Sequence, residues 1–391
     1  MIRLAILGST GSIGESTLRV VERHPGRFQV VGLAANRSLA ALREQVERHK
    51  PRHAVLADPG LLGSIANGGP TRWACGRDEV LALAAADGVD VVVNAMVGSA
   101  GLEPTLRALE AGKRVALANK ESLVAGGSLV LAAARRGGGE LIPVDSEHSA
   151  ILQCMEGYAR SGVHRVVLTA SGGPFRGRSR EELLEVGPDE ALRHPTWEMG
   201  SKITVDSATL ANKALEVIEA HFLYGVSYER IDVVVHPQSI VHSFVEFVDG
   251  SVLGQVGFPT MELPILYALA YPERIGDPEL RTFDPVGFSP LTFEEVDVDA
   301  FPLFALGLEA GRRGGTAPAV YNAANEVAVE AFLQGKVGFI AMAEVVSEAL
   351  ERHLLSEIDV VEDVIEADRQ ARQIASAVVH ALDGKVGGRQ G

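Results

Sequence analysis

The chain has few of the features that characterise secreted and membrane proteins. It holds two cysteines, Cys75 and Cys154, without paired spacing, which indicates a reducing compartment. It has no apolar run of about 18 residues, the length that a transmembrane helix needs. Met1 leads directly into a strand-like segment, so the sequence predicts no signal or transit peptide. Together these features predict a cytoplasmic protein.

Positive charge is also scarce. The 391 residues carry a formal net charge of -15, which argues against nucleic acid or an anionic membrane as the main partner. An anionic substrate would therefore need a local basic and amide-rich pocket. The length predicts two or three domains, and strands that alternate with helical patterns predict an α/β protein. We divide it into a dinucleotide-binding domain (1–144), an α+β catalytic domain (145–270), a linker (271–300) and a helical domain (301–391).

A glycine-rich turn follows the first predicted strand, Ile2 to Leu7, and a helical pattern continues from it to about His24. The turn has the spacing G-x-x-G-x-x-G and consists of Gly8, Ser9, Thr10, Gly11, Ser12, Ile13 and Gly14. This order of elements predicts a dinucleotide site, where glycines admit the pyrophosphate and the helix supplies free N–H groups. The alternative is a tight turn with a purely structural role.

The end of the second predicted strand, Gln29 to Ala34, bears on the choice of cofactor. Enzymes that use NAD usually place an Asp or Glu there for the ribose 2′-hydroxyl. This chain has Asn36, Arg37 and Ser38 instead. Arg37 and Ser38 suit a 2′-phosphate, so the sequence favours NADPH. The alternative is an ordinary surface arginine.

Two later strand ends also carry polar residues. The strand predicted from Arg114 to Leu117 is followed by Asn119, Lys120 and Glu121. The apolar run from Leu141 to Val144 is followed by Asp145, Ser146 and Glu147. On an extended strand, Asp145 and Glu147 would point to the same side, and two such carboxylates favour a shared cation or proton. The alternative is that Asp145 caps a helix that begins near Ser149 and continues to Tyr158.

A group of phosphate-binding residue types is predicted in the second domain. A strand from Val166 to Thr169 leads to Ser171 and two glycines, and a strand from Ile203 to Asp206 leads to Ser207 and a helix. That helix carries a polar stripe opposite its apolar face, made of Asn212, Lys213 and Glu216. Hydroxyls, an amide and an ammonium suit a phosphate monoester, and these would come from Ser171, Ser207, Asn212 and Lys213. The alternative is a solvated helix face.

The remaining pattern predicts three strands, a linker and a terminal bundle. The strands are Val233 to His236, Ile240 to Val248 and Val252 to Gly257, the last two joined by a hairpin at Asp249-Gly250. The linker from Tyr271 to Ala300 lacks periodicity, and residues 384–391 are predicted to fray. The predicted bundle helices are Leu303 to Gly311, Pro318 to Leu333, Ile340 to Arg352 and Val361 to Leu382.

These motifs resemble, in order and over nearly the whole chain, the 1-deoxy-D-xylulose 5-phosphate reductoisomerase family. The matching stretches are GSTGSIG from Gly8, ANKES from Ala118, PVDSEHSA from Pro143, SGGPF from Ser171, HPTWEMG from His194 and VDSATLANKALE from Val205. HPQSIVHS from His236 and the region of Met261 are similar too. Ala214 stands where a glycine is expected, and Ser149 stands where an asparagine is expected. Neither position carries a proposed functional group.

The resemblance implies the reaction and the site. It implies rearrangement and NADPH-dependent reduction of 1-deoxy-D-xylulose 5-phosphate, in isoprenoid synthesis, by a homodimer. A metal would be held by Asp145, Glu147 and Glu216, and hard oxygen ligands suit Mg²⁺ or Mn²⁺, with Co²⁺ as a further option. Lys120 and Ser146 would contact the reacting oxygens. Asn119, Glu121, Met199 and Gly200 would contact the cofactor.

The segment from Arg193 to Gly200 is predicted to be a substrate lid. A Trp and a Met are unusual in a loop, so we expect Trp197 to cover the substrate carbon chain and His194 to approach the phosphate. The alternative is that Trp197 is fixed in the core. The alternative functions are a semialdehyde dehydrogenase, which would need a nucleophilic cysteine such as Cys154, and a non-catalytic NADP-binding sensor.

Overall fold

The structure is a computed structural model that describes residues 1–65, 69–197, 199–281 and 283–387. The described chain forms two compact units. The first comprises Met1–Ser122, Ser128–Ser149 and Thr260–Arg281. The second comprises Leu123–Gly127, Ala150–Pro259 and the described part of Thr282–Gly391. Among the described residues, no helix combines the length and the apolar character needed to cross a membrane.

Eleven strands are found in the described chain, seven in the first unit and four in the second. Those of the first unit are β1 (Ile2–Leu7), β2 (Phe28–Ala35), β3 (His53–Leu56), β4 (Arg72–Cys75), β5 (Val91–Asn94), β6 (Arg114–Leu117) and β7 (Glu140–Pro143). Those of the second unit are β8 (Val163–Ala170), β9 (Ile231–Val235), β10 (Val241–Phe247) and β11 (Val252–Val256).

The α-helices of the described chain follow the same order. The first six are α1 (Ser12–Arg23), α2 (Leu39–His49), α3 (Arg77–Ala84), α4 (Leu102–Glu110), α5 (Glu121–Gly137) and α6 (Ser146–Met155). The next are α7 (Pro188–Ala191), α8 (Ser201–Ala208), α9 (Ala211–Tyr224) and α10 (Glu262–Ala270). The last are α11 (Pro302–Arg313), α12 (Ala317–Leu333), α13 (Ala341–Arg352) and α14 (Val361–Gly387).

The first unit is built on a parallel sheet with the strand order β4-β3-β2-β1-β5-β6-β7. Its central strands are mainly apolar, as is typical of a parallel sheet with both faces covered, and the side chains of Leu4 to Leu7 are fully buried. The strand order reverses between β1 and β5. Ligands of doubly wound sheets bind at such a switch point, outside the carboxyl ends of the strands. The α/β prediction is confirmed.

The second unit combines a mixed sheet with a helical core. The sheet has the order β11-β10-β8-β9, with β8 parallel to β9 and antiparallel to β10. The antiparallel pair β10 and β11 confirms the predicted hairpin. Helices α9 and α11 to α14 bury a continuous apolar core around Tyr321 and Phe332. Residues 388–391 of the segment predicted to fray lie outside the described chain, and 384–387 end α14.

Two predictions of local structure were wrong. The segment from Ile203 to Asp206 is part of helix α8, not a strand. Its β-branched residues favour a strand by propensity, but the Thr204 hydroxyl donates to the carbonyl of Gly200 and Val205 is fully buried, so packing decides. The extended geometry assumed for Asp145 and Glu147 was also wrong. The strand ends at Pro143 and α6 begins at Ser146, so these residues flank a helix start.

Candidate active site

The glycine turn after β1 is shaped by close backbone contacts. Gly8 has a positive φ of +83°, and a Cβ atom there would lie 2.4 Å from the carbonyl oxygen of Ala95, which follows β5. A Cβ atom on Gly14 would lie 2.5 Å from the carbonyl oxygen of Gly8. Both positions therefore require glycine. Gly11 precedes α1 without a side-chain cap, which leaves the first amides of the helix for an anion.

Ser9 holds this turn in place. Its buried hydroxyl donates to Oε1 of Gln45 on α2 at 2.7 Å, and the Gln45 amide donates back to the Ser9 carbonyl oxygen at 2.9 Å. The Ser9 N–H donates to the carbonyl oxygen of Ala34 at 2.9 Å. The side chain of Ser9 therefore acts by fixing the turn. Of the other residues in the turn, Thr10 and Ile13 are half-buried, and Ser12 is exposed.

The residues after β2 are exposed, as a cofactor site requires. Asn36, Arg37 and Ser38 all lie at the surface. The Nε of Arg37 donates to Oδ2 of Asp58 at 2.8 Å. Sequence reasoning missed Asp58, although its position two residues after the strand end at Leu56 is the signal that could have found it.

Asn119 holds the loop after β5. Its buried amide nitrogen donates to the carbonyl oxygens of Met96 and Gly98, both at 2.9 Å, and to Glu121 at 2.9 Å. A Cβ atom on Gly101 would lie 2.2 Å from the Asn119 Oδ1, so the backbone approaches this side chain closely. Asn119 and Glu121 thus shape the edge of the sheet at which the glycine turn also lies.

The first carboxylate pair lies at the amino end of α6. The carbonyl oxygen of Asp145 accepts the N–H of Ser149 at 2.8 Å, and Glu147 lies in the first helical turn. The partial positive charge of a helix amino end stabilises both carboxylates. The buried ammonium of Lys120 donates to Oδ2 of Asp145, and the hydroxyl of Ser146 donates to Glu147. Lys120, Asp145, Ser146 and Glu147 therefore gather within the first unit.

Ser171 and His194 form a polar pair in the second unit. The Nδ1 atom of His194 accepts the N–H groups of Thr196 at 3.1 Å and Trp197 at 2.9 Å. Its proton therefore resides on Nε2, which donates to the Ser171 Oγ at 3.0 Å. Burial lowers the pKa of His194, which keeps the ring neutral. Because the Ser171 Oγ also accepts the Gly173 N–H at 3.2 Å, its own hydroxyl hydrogen is available to donate to a further acceptor.

Gly173, two residues after Ser171, packs closely against the backbone near the end of α8. Its φ is +65°, and a Cβ atom there would lie 2.7 Å from the carbonyl oxygen of Ser207. The chain then turns through Leu210, a non-glycine residue with a φ of +57°, directly before α9. Such backbone strain is concentrated at functional sites. The turn joins Ser207 to the first helical turn of α9.

Helix α9 carries a buried polar group. Lys213 is 4% exposed and Glu216 is 1% exposed, and the Lys213 ammonium donates to the Glu216 carboxylate. The amide nitrogen of Asn212 donates to the other oxygen of Glu216. The Asn212 Oδ1 is buried without a hydrogen-bond partner among the described residues, so the cluster retains an acceptor that is not satisfied within it. Asn212, Lys213 and Glu216 form one cluster, and the solvated-face alternative is wrong.

A buried network supports α8 from behind. Asp206 is 1% exposed and contacts the Lys202 ammonium at 2.8 Å. Its Oδ1 accepts the amide of Asn325, on α12, at 2.7 Å. Asp206 and Asn325 were missed by sequence reasoning because they lie 119 positions apart. They position the segment that carries Ser207.

The segment predicted to be a lid also lies in the second unit. Trp197 and Met199 are half-buried, and Gly200 is exposed directly before α8. His194 joins this segment to Ser171 through the hydrogen bonds described above. The roles of Trp197 in substrate binding and of Met199 and Gly200 in cofactor binding stay predictions.

Three protein-family models match the chain in order. The model described as 1-deoxy-D-xylulose 5-phosphate reductoisomerase matches residues 4–127. The model described as the C-terminal domain of 1-deoxy-D-xylulose 5-phosphate reductoisomerase matches residues 141–224. The model described as the DXP reductoisomerase C-terminal domain matches residues 256–374. The matches cover residues of both units.

Individual proteins are similar over almost the full chain. The 1-deoxy-D-xylulose 5-phosphate reductoisomerase of Xanthomonas campestris pv. campestris (strain B100) is 52% identical over 377 residues, covering 95% of each chain. The solved structure of the Zymomonas mobilis reductoisomerase in complex with NADPH aligns with a TM-score of 0.90 at 43% identity, covering 97% of this chain and 99% of that one. A DOX-P reductoisomerase crystallised with NADPH, fosmidomycin and magnesium aligns with a TM-score of 0.92 at 38% identity, covering 98% and 99%.

Proposed function

The chain belongs to the 1-deoxy-D-xylulose 5-phosphate reductoisomerase family, and on that premise we propose that it converts this substrate into 2-C-methyl-D-erythritol 4-phosphate, using NADPH and a divalent metal ion. The observation that carries the proposal is the buried cluster on α9, where Asn212 and Lys213 surround the carboxylate of Glu216. On a solvated helix face these charged side chains would be exposed, whereas Lys213 and Glu216 are buried here. The product would serve isoprenoid synthesis.

The glycine turn would hold the cofactor. The uncapped amides of α1 suit a pyrophosphate, and Gly8 and Gly14 allow the tight backbone packing that holds the turn in front of them. Arg37 and Ser38 would take the 2′-phosphate, and Asn119 would keep the loop after β5 in place for the nicotinamide half. When bound, NADPH supplies the hydride of the reduction.

Asp145, Glu147 and Glu216 would hold the metal ion. Each offers a carboxylate oxygen, a hard ligand that suits Mg²⁺ or Mn²⁺. When bound, the metal supplies Lewis-acid polarisation of the substrate carbonyl. Lys120 and Lys213 each contact one of these carboxylates and keep the charge balanced. Lys120 and Ser146 would also contact the reacting oxygens.

The second unit would hold the phosphate of the substrate. The Ser171 hydroxyl would donate to a phosphate oxygen, because its oxygen already accepts from His194 and Gly173. Ser207, Asn212 and Lys213 would add a hydroxyl, an amide and an ammonium. Trp197 would cover the carbon chain and exclude water. We further propose that the protein is a cytoplasmic homodimer.

The decisive experiment is an assay of the purified protein with substrate, NADPH and Mg²⁺. We expect loss of NADPH absorbance, its arrest by EDTA, and its return with Mg²⁺ or Mn²⁺. A Cys154→Ser variant should keep full activity, because a semialdehyde dehydrogenase alone would need that thiol. Substrate-dependent oxidation that continues in EDTA would contradict the metal-dependent reaction, and no oxidation at all would contradict the proposed enzyme.

A further inference from the structure

Asp58 lies beside the residues that would receive the 2′-phosphate. Strands β2 and β3 are parallel neighbours, so their carboxyl ends at Ala35 and Leu56 lie side by side. The Asp58 N–H donates to the carbonyl oxygen of Asn36 at 3.3 Å, which ties the segment after β3 to the segment after β2. Asp58 is therefore fixed next to Arg37 by the sheet itself.

The carboxylate of Asp58 is held at two points. Its Oδ1 accepts the N–H of Gly60 at 2.8 Å, as the cap of the short helix from Pro59 to Ser64. Its Oδ2 accepts the Nε of Arg37 at 2.8 Å. The hydrogen bond from Gly60, followed by that from Arg37, lowers the pKa of Asp58, so the group is ionised at neutral pH.

This contact determines which part of the guanidinium is available. Only the Nε edge of Arg37 is used, and no hydrogen bond among the described residues involves its two terminal nitrogens. The side chain of Arg37 is 79% exposed, whereas that of Asp58 is 25% exposed. The fixed carboxylate thus orients a long, exposed side chain, and the planar terminal edge of the guanidinium stays open to a phosphate.

We propose that Asp58 is a specificity-determining residue, which acts by orienting Arg37 for the 2′-phosphate of NADPH. It is a positioning residue, because its own charge would repel the phosphate. The inference rests on the role that the proposed function gives to Arg37. An exposed arginine loses side-chain conformational entropy when a ligand binds and fixes it. Because Asp58 already restricts Arg37, this loss on binding is smaller.

The test uses two fragments of the cofactor that differ at the 2′ position. Isothermal titration would compare 2′,5′-ADP with 5′-AMP for the wild-type protein, Asp58→Asn and Arg37→Ala. In Asp58→Asn the Oδ1 still caps the helix at Gly60, but the side-chain amide cannot accept from Arg37. Glu79→Gln is the matched control, because it removes the exposed pair of Glu79 with Arg72 in the same unit.

We expect Asp58→Asn to raise the Kd of 2′,5′-ADP roughly fivefold to tenfold and to change the Kd of 5′-AMP by less than about twofold. Arg37→Ala should weaken 2′,5′-ADP more, and adding Asp58→Asn to it should have no further effect, because the two residues act as a unit. Glu79→Gln should bind both fragments as the wild type does. The ratio of kcat/KM for NADPH over NADH should fall with the same order of variants.

Two results would overturn the inference while leaving the proposed function standing. One is unchanged or tighter 2′,5′-ADP binding by Asp58→Asn while Arg37→Ala weakens it, which would make Asp58 a mere helix cap. The other is unchanged binding by both variants in an active, NADPH-dependent enzyme, which would move the 2′-phosphate away from Arg37. Failure of the enzyme assay described above is a separate readout, because it tests the proposed function without these variants.

Discussion

Under the proposed function, the two units of this chain would bind anions in two different ways. In the first unit, the turn from Gly8 to Gly14 has uncapped backbone amides and contains no charged side chain. In the second unit, the proposed site would consist of side chains, among them the hydroxyl of Ser171 and the buried ammonium of Lys213. A pyrophosphate carries its charge along an extended group, whereas a phosphate monoester carries it at one end.

The difference predicts different weaknesses. A backbone site has no group that titrates, but a single added Cβ atom distorts it, as the 2.5 Å distance between a Cβ atom on Gly14 and the carbonyl oxygen of Gly8 indicates. A side-chain site admits small changes of shape, but each member needs the correct charge and a support behind it. His194 and Asp206 supply that support in the second unit. The following predictions test this contrast.

The largest effect is expected from Glu216→Gln, which keeps the shape of the side chain and removes its charge. Because a buried carboxylate is the expected metal ligand, kcat should fall at least about 100-fold and the metal requirement should rise. The Kd of NADPH should change by less than about twofold, since the glycine turn is untouched. Steady-state kinetics at varied Mg²⁺ concentration give kcat and the metal requirement, and a fluorescence titration gives the Kd of NADPH.

The control for Glu216→Gln is Glu330→Gln, another helical glutamate with a hydrogen bond to a residue four positions away, Gln334. It is exposed, so kinetics like those of the wild type are expected. A Glu216→Gln variant with kcat within about threefold of the wild type would contradict the metal role.

Gly14→Ala should produce the next largest effect, in the first unit. The added Cβ atom would meet backbone atoms of Gly8 and Ser9, so the turn must open and the Kd of NADPH should rise about 30-fold, or about 2 kcal/mol. The Kd of fosmidomycin measured with Mg²⁺ alone should stay unchanged. Gly63→Ala is the control, because nothing lies within 4 Å of its added Cβ atom. Equal NADPH affinity in both variants would refute the close-packed turn.

Acid should affect the second unit through His194. Burial holds the pKa of His194 below its ordinary value of 6.5, so the unfolded segment binds the proton more readily than the folded one. The stabilisation is therefore complete above pH 6.5 and is lost as the pH falls below it. A proton on Nδ1 would break the contacts with the N–H groups of Thr196 and Trp197.

We expect tryptic cleavage after Arg193, measured relative to an unstructured reference peptide, to be faster at about pH 5 than at about pH 7, because protonation of His194 destabilises the folded segment. In a Trp73→Phe background, the emission of Trp197 should change over the same range. Both responses should be absent in His194→Gln and present in His164→Gln, which alters an exposed histidine. An acid response that survives in His194→Gln would assign it to another group.

The smallest effect is expected from Asn325→Ala, which changes a buried residue that contacts Asp206 and lies outside the proposed binding residues. Asn325→Ala removes a hydrogen bond to the buried Asp206 carboxylate, a loss of about 1.5–3 kcal/mol, and it should raise KM for the substrate a few-fold. Asn322→Ala, on the same helix, removes a hydrogen bond to Glu326 and should leave KM unchanged. Thermal unfolding and substrate kinetics would be compared for both. Equal KM values in the two variants would show that Asp206 has a structural role only.

The same contrast explains how far the sequence could be used to predict this molecule. The β1–turn–α1 segment was predictable because its signal is local, with an apolar strand, three glycines and a helix in direct succession. The hairpin at Asp249-Gly250 was predictable for the same reason. The residue types of the second site were also visible along the chain, in Ser171, Asn212 and Lys213.

The wrong and missing parts depend on contacts between distant segments. Ile203 to Asp206 was predicted as a strand from its β-branched residues, but buried contacts of Val205 and Asp206 make it a helix. The hydrogen bond between Asp206 and Asn325 could not be predicted either, because the two residues lie far apart in the sequence. Asp58 follows a strand end that the sequence could have revealed, but its contact with Arg37 was missed because Arg37 follows the neighbouring strand of the sheet. Local patterns carry no information on such partners.

The central claim is that carboxylates from separate parts of the sequence hold one divalent ion. Its most direct test is a crystal structure of the protein grown with Mn²⁺, in which anomalous scattering locates the metal. The account predicts one strong peak in direct contact with the carboxylates of Asp145, Glu147 and Glu216. It also predicts that the peak is lost or strongly weakened in Glu216→Gln. A peak that contacts none of these carboxylates, or one that is unchanged in the variant, would contradict it.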